Sequence, residues 1–351
     1  MSKNIVRIGI SGLGAFSSII ANAIEKSDKA EIVTCFTRTS AKREKFSARY
    51  RCGQDSSFEE MVCRADVDAV VLATPNAVHR EQAQLAALHG KHVFVEKPIA
   101  NTLDDGLAMV TACRDADVVL MVGHIARRYA GNRMAKKLLD DGKLGEPMMV
   151  ETNLSSDQGM ALKPDGFRWR GDDLGSPGGP LMTMGVHHAD TLNYLFGQVE
   201  SVFSMFSHLQ IAAPIPDVTT TVLQFETGML GYIGSTFASP RTNWMQIYGT
   251  AANLIRRSAA IDFKVAAGRR RTIDENTQLE LVENETGIRP IEFPIGDPML
   301  EQIDEFADCI SQNTKPETDG ESSLRALAVI RAAIESATNR RPVKVRRDLP
   351  D

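Results

Sequence analysis

The chain has 351 residues, 43% of them hydrophobic, and a formal charge of −5 with both signs interspersed. That length suggests about two domains with real cores, and the lack of a basic stripe argues against nucleic acid as a partner. No window reaches the roughly 18–20 apolar residues of a membrane span. Met1-Ser2-Lys3-Asn4 runs straight into a strand-like segment without a signal peptide's apolar stretch, so a cytoplasmic protein is expected.

From the N-terminus, Ile5–Ile10, Glu31–Phe36, Ala69–Ala73, His92–Val95 and Val118–Val122 are short, nearly continuous apolar runs, as in parallel strands covered on both faces. Helical segments separate them; Glu81–His89 carries Ala83, Leu85, Ala86 and Leu88, with Gly90 as its stop. This alternation predicts a doubly wound parallel sheet, a Rossmann dinucleotide-binding domain over residues 1–125.

Over 126–351 the texture changes. A helix around Asn132–Asp140 ends at Gly142, and Val199–His208, Thr219–Phe225, Met229–Phe237 and Trp244–Tyr248 read as strands. The middle two form a hairpin about Glu226-Thr227-Gly228. Asp297-Pro298 opens a helix with Leu300, Ile303, Phe306, Ala307 and Ile310 on one face, and another helix starts near Glu321. The expectation is an α+β domain on an open, mainly antiparallel sheet for substrate binding and oligomerisation, its last helices free to pack back on the first domain. An open sheet leaves an apolar face and edges, which predicts a homodimer or homotetramer. Five scattered cysteines, Cys35, Cys52, Cys63, Cys113 and Cys309, lack metal-ligand spacing and read as reduced and structural.

Gly12-Leu13-Gly14-Ala15-Phe16-Ser17 follows the first strand and opens a helix. Glycines at 12 and 14 let the backbone turn tightly and approach a pyrophosphate, which then rests on the helix N-terminus. Ser17 stands where a third glycine is usual and is small enough for helix–strand packing. The alternative is a tight structural turn. The second strand ends in Phe36-Thr37-Arg38-Thr39-Ser40, without the carboxylate that holds adenosine ribose hydroxyls in an NAD site. Thr37 and Arg38 suit a 2′-phosphate, so NADP(H) is favoured over NAD(H); alternatively Arg38 is solvated and either cofactor binds.

Val93-Phe94-Val95 runs into Glu96-Lys97-Pro98. Ligands of such sheets bind at the carboxyl ends of strands, so Lys97 is expected in the cofactor crevice, handling a proton on a substrate oxygen. Alone, the segment also fits a surface lysine before a turn.

It does not stand alone. Together with Gly12–Ser17, Thr74-Pro75-Asn76 and His79, Gly142-Lys143-Leu144-Gly145-Glu146-Pro147, Gly178-Gly179-Pro180-Leu181 and Gly185-Val186-His187 with Asp190, it resembles the Gfo/Idh/MocA family, which includes inositol dehydrogenases and glucose–fructose oxidoreductase. The ordered matches run from residue 5 to about 200. The resemblance implies that Lys97 binds the reacting oxygen, that His187 is its proton-transfer partner, and that Asp190 orients His187 or touches substrate. It places Thr74, Pro75, Asn76, His79 and Glu96 near the cofactor, and implies a cis Lys97–Pro98 bond.

One position departs from the pattern: Thr183 stands where many relatives carry an aspartate four residues before the histidine. A threonine cannot be a carboxylate base, so His187 moves the proton alone or the substrate is not of the inositol type; His188 is a candidate to replace its neighbour. Arg128, in Arg127-Arg128-Tyr129, is a substrate-binding candidate or part of a solvated helix start. Trp169, before the loop Gly175–Gly179, suits sugar stacking or simply anchors that loop. Consecutive histidines do not easily share an ion, so no metal is expected. Hydride transfer to or from a sugar, polyol or related carbonyl compound leads. Redox-assisted elimination or hydrolysis with a retained cofactor, and a non-catalytic nucleotide-binding sensor, are the alternatives.

Overall fold

The computed structural model describes residues 5–162, 175–258 and 276–347. The first sheet comprises β1 (Val6–Ser11), β2 (Ala30–Phe36), β3 (Gly53–Gln54), β4 (Ala69–Leu72), β5 (His92–Val95) and β6 (Leu120–Val122). Its strands are all parallel, in the order β3-β2-β1-β4-β5-β6. Crossovers are made by α1 (Ala15–Ile24), α2 (Ser40–Tyr50), α3 (Phe58–Cys63), α4 (His79–Leu88) and α5 (Leu103–Asp115). Ile8, Ile10, Val70, Val71 and Leu72 are fully buried, which explains the continuous apolar strands. The strand order reverses between β1 and β4, where ligands of open α/β sheets bind.

After α6 (Ala130–Asp140) come β7 (Pro147–Ser155), α7 (Val186–Phe196), β8 (Val199–Ser207), β9 (Val218–Phe225), β10 (Leu230–Thr236), β11 (Thr242–Gly249), β12 (Asn253–Ser258), β13 (Thr277–Glu283) and β14 (Gly287–Pro290). With β15 (Val343–Lys344) these strands form a nine-stranded sheet, ordered β14-β13-β12-β11-β7-β10-β9-β8-β15. It is mixed rather than purely antiparallel, because β10 runs parallel to β7. α8 (Pro298–Gln312) begins where Asp297 accepts a hydrogen bond from the Leu300 amide.

α8 lies against α1, while α9 (Gly320–Asn339) packs against β8, α7 and α5. The stretch before α9 joins the edge of the first sheet: the Val122 amide donates to the Thr318 carbonyl at 2.8 Å, and the Thr318 hydroxyl donates to the Val122 carbonyl at 2.7 Å. One face of the second sheet is therefore covered by helices. On the other, Phe203, Met205, Val222 and Leu230 are exposed. Among the described residues no helix is long and apolar enough to cross a membrane.

Candidate active site

One side of the site is made of backbone. Gly12 turns the chain at φ +89°, and a Cβ there would lie 2.6 Å from the carbonyl carbon and oxygen of Ala73, just after β4. Glycine is required on both counts. Gly14 caps α1 without a side-chain hydrogen bond, and the first turn carries no acidic residue, so the positive end of the helix dipole is not neutralised there. Gly14 and Ala15 are exposed, and Phe16 is half-buried. The Ser17 hydroxyl is buried and donates to the Gly14 carbonyl at 2.6 Å, which absorbs its polarity inside the turn. A dinucleotide pyrophosphate fits this turn, where nothing lies within 4 Å of the Cβ position of Gly14 and the helix N-terminus is left open.

Behind it, Gln82 accepts from the Thr74 hydroxyl at 2.7 Å and donates to the Ser11 hydroxyl at 3.1 Å. Pro75 is half-buried; Asn76 is buried and donates to the Asn101 side chain at 3.1 Å. His79 is completely buried, its ring nitrogens 3.1 Å from the Ile99 carbonyl and 3.0 Å from the Thr74 carbonyl. Burial lowers its pKa against the opposing pull of the two carbonyls; an uncharged ring donates to one of them, and only the imidazolium donates to both. At the end of β2 the Thr37 carbonyl accepts from the Arg43 guanidinium at 2.7 Å, and Arg38 is exposed.

The other side is made of side chains. The Lys97–Pro98 peptide is cis. Lys97 Nζ donates to the main-chain carbonyl of Thr183 at 2.9 Å. Glu96 is buried beside Gly123, where a Cβ would stand 2.7 Å from Glu96 Oε1. Thr183 lies in a π-helical turn, Leu181–Gly185, that leads into α7; its hydroxyl donates to the Gly179 carbonyl at 3.1 Å. Position 183 thus presents Lys97 with a carbonyl oxygen instead of a carboxylate.

His187, His188 and Asp190 diverge because a helix advances about 100° per residue. Burial, then the Lys97 charge, then His124 and His188 push His187 well below its usual range. His188 turns toward the second sheet, where Asn243 hydrogen-bonds it; burial and the Arg256 charge push it down to about 3. Asp190 is wholly buried and takes a bidentate hydrogen bond from Arg127 at 2.9 and 2.6 Å. Its Oδ2 lies 3.8 Å from His124 Nδ1, beyond hydrogen-bond distance, so its hydrogen-bond partner is Arg127.

His124, one residue past Gly123 at the end of β6, was missed by sequence reasoning. Burial drives it down to about 4 against the opposing pull of Asp190. The signal was available: like Lys97, it stands just beyond the carboxyl end of an apolar strand. Arg128 is neither solvated nor open. It is buried between Glu305 and Glu317, the latter at 3.3 Å, because a desolvated guanidinium needs carboxylates. Arg133 pairs with Glu317 at 2.6 Å and with the Tyr194 hydroxyl at 2.9 Å. Trp169 lies outside the described residues. Among those described, no group of three or more His, Cys, Asp or Glu side chains could hold a metal.

A glycine turn at the switch point of a parallel sheet, together with a strand-end lysine hydrogen-bonded to the turn that leads into His187, is the arrangement of a nicotinamide-dependent oxidoreductase. Residues 6–124 match the family model for the oxidoreductase NAD-binding Rossmann fold, and 136–345 match that for the C-terminal alpha/beta domain. The chain belongs to the Gfo/Idh/MocA oxidoreductase family. It is 28% identical to 2,7-anhydro-N-acetylneuraminate hydratase of Escherichia coli K12, over 97% of each chain. It is 29% identical to 1,5-anhydro-D-fructose reductase of Ensifer adhaerens, over 72% of this chain and 75% of that one. The crystal structure of a presumed NADPH-dependent oxidoreductase from Desulfitobacterium hafniense superposes with a TM-score of 0.92 at 35% identity, covering 97% of this chain and 98% of that one.

Proposed function

We propose that the protein is a dehydrogenase or reductase of a sugar, polyol or related carbonyl compound, with NADP(H) preferred over NAD(H). The observation that carries this reading is the position of Lys97, at the carboxyl end of β5 and hydrogen-bonded to the Thr183 turn that leads into His187. A bound nicotinamide supplies hydride exchange at its C4. Lys97 donates a hydrogen bond to the reacting oxygen, with the Thr183 carbonyl holding Nζ in place. His187, kept uncharged by burial and by the Lys97 ammonium, accepts the proton when an alcohol is oxidised. Asp190, locked to Arg127, fixes the register of α7 and so positions His187. Gly12, Gly14, Ala15 and Phe16 receive the pyrophosphate, Thr37 and Arg38 the 2′-phosphate, and Thr74, Pro75, Asn76 and Glu96 the nicotinamide end. His79 acts from beneath them, without touching the cofactor.

The Escherichia coli relative's name favours a second reading, in which a retained cofactor is used transiently during elimination or hydrolysis. A panel of polyols, aldoses and uronates assayed with NAD and NADP by nicotinamide absorbance separates the two. A net absorbance change sustains the first reading; turnover with near-stoichiometric retained cofactor and no net change replaces it with the second. Fluorescence titration of both cofactors at fixed salt tests Arg38, and equal affinities or an NAD preference would sink that argument. The exposed face at Phe203, Met205, Val222 and Leu230 is read as the contact with a second copy of the chain. A monomer by light scattering at micromolar concentration would refute it.

A further inference from the structure

Positive charge is concentrated on one helix. Residues 38–51 hold six cations, Arg38, Lys42, Arg43, Lys45, Arg49 and Arg51, against a single acid, Glu44. That is a net +5 in a chain whose total is −5, so the rest of the molecule carries −10. All but Arg43 are exposed. Cations nearby are neutralised, Arg7 by Asp68, Lys26 by Asp297 and Lys29 by Asp308. Among the described residues, none of these six is paired with a carboxylate. The two that are braced are held by neutral groups: Arg43 donates to the Thr37 carbonyl at 2.7 Å, and Arg49 to the Asn22 side chain at 3.1 Å while lying over the Tyr50 ring. Beneath them Phe46 and Tyr50 are buried, which fixes α2 with its basic face in solvent. α2 also begins at the carboxyl end of β2, where its first turn carries no acid and Thr39 caps it without a side-chain hydrogen bond. The helix dipole and the cations therefore have the same sign at the rim of the cofactor crevice.

We propose that the basic face of α2 is an electrostatic collector for the nicotinamide cofactor: Lys42, Lys45, Arg49 and Arg51 draw its phosphates in from solvent toward the Gly12 turn and raise the association rate. The proposal rests on the cofactor reading above, and only its sensitivity to the 2′-phosphate rests on the NADP(H) half of that reading. Distance separates collecting from holding. At 1.5 Å per residue, Lys45 stands about 7 Å and Arg49 about 13 Å along the helix axis from Ser40. Water lies between exposed charges that far away and a docked phosphate, and pairwise attraction through water is small. The summed field reaches farther, over about 10 Å at 0.1 M salt and about 30 Å at 0.01 M. On a molecule that is negative elsewhere, such a patch selects the direction from which an anion approaches. The 2′-phosphate adds about −1.5 to −2 at neutral pH and roughly doubles the cofactor's charge, so NADP(H) gains more than NAD(H). The patch's place at the mouth of the crevice, not its charge alone, selects a dinucleotide over a nucleic acid.

Stopped-flow fluorescence on the full chain measures association and dissociation of NADPH and NADH separately, from about 10 mM to 300 mM salt. The association rate should fall as salt rises, more steeply for NADPH than for NADH. At the low-salt end, Lys45→Glu should slow NADPH association several-fold and NADH association by roughly the square root of that factor, with dissociation changed by less than about twofold. Lys45→Gln, which halves the change of charge, should give about half the logarithmic effect. Lys344→Glu makes the same reversal at an exposed position on β15, the edge of the second sheet, and should leave both rates unchanged. An association rate that is independent of salt, or slowed equally by Lys344→Glu, overturns the collector. So does a Lys45→Glu effect found wholly in dissociation, which makes Lys45 a holding contact. NADH association with the expected dependence, in a protein that does not bind NADPH, removes the NADP(H) reading and sustains the collector. Binding of neither cofactor removes both.

Discussion

The two sides of the site are built by different means. The cofactor side is backbone: a glycine turn, a helix N-terminus without a side-chain cap, and the strand-order reversal between β1 and β4. The side proposed to handle the proton is side chains from distant segments, with Lys97 reaching the Thr183 carbonyl across 86 residues and Arg127 reaching Asp190 across 63. A pyrophosphate carries diffuse charge that amides of almost any sequence can hold, provided glycine permits the approach. A proton exchanged at one atom needs a titrating group, and its readiness is set by whatever packs around it.

The sharpest way to break this comparison is Lys97→Met, which keeps most of the side-chain volume and removes the charge. Turnover on the true substrate should fall by about 10²–10⁴-fold, the range for a general acid–base residue, while cofactor affinity changes little. Near-native turnover would show that the side-chain half has been misassigned. Lost cofactor binding would show that the two halves are not separable.

Asp190→Ala tests the buried pairing. It strands the Arg127 guanidinium without its carboxylate, and stability should drop by about 3–5 kcal/mol, as for a broken buried ion pair. Urea melts measure it, and a loss confined to a few tenths would mean that the pair is solvated.

Acid should act in the same region. The usual histidine pKa is 6.5 and His124 is held at about 4. As the pH falls from 6.5 toward 4, the unfolded chain takes up a proton that the folded protein refuses, so stability declines by on the order of 3 kcal/mol. His124→Gln should flatten that slope; an identical pH dependence in the variant would remove His124 as its source.

His187→Ala is expected to lower turnover by less than Lys97→Met, because water can carry a proton but cannot replace a fixed ammonium. His188, turned toward Asn243 and Arg256, is not expected to substitute for it. Thr183→Ala should do least, since its contribution to Lys97 is a main-chain carbonyl that alanine keeps. If Thr183→Ala proved worse than His187→Ala, the hydroxyl bond to the Gly179 carbonyl, and so the π-helical turn, would matter more than the histidine.

Gly12, Gly14 and Lys97 were legible in the sequence because their chemistry is attached to local backbone events: a turn that admits only glycine, and the end of an apolar strand. The parallel sheet was legible for the same reason, its strands being short apolar runs buried on both faces. β7 was not, although it lies at the centre of the second sheet between β11 and β10. Glu151 and Asn153 dilute its apolar character, and only its neighbours show that Val150 and Thr152 face inward. The partners of Asp190, Arg128 and His188 were equally out of reach. Spacing along a helix tells which residues share a face, whereas the charge a residue meets there depends on which distant segment is packed against it. Burying a guanidinium costs several kcal/mol unless a carboxylate arrives with it, and that match exists only after Ile125–Arg128, α7, α8 and the stretch before α9 have come together.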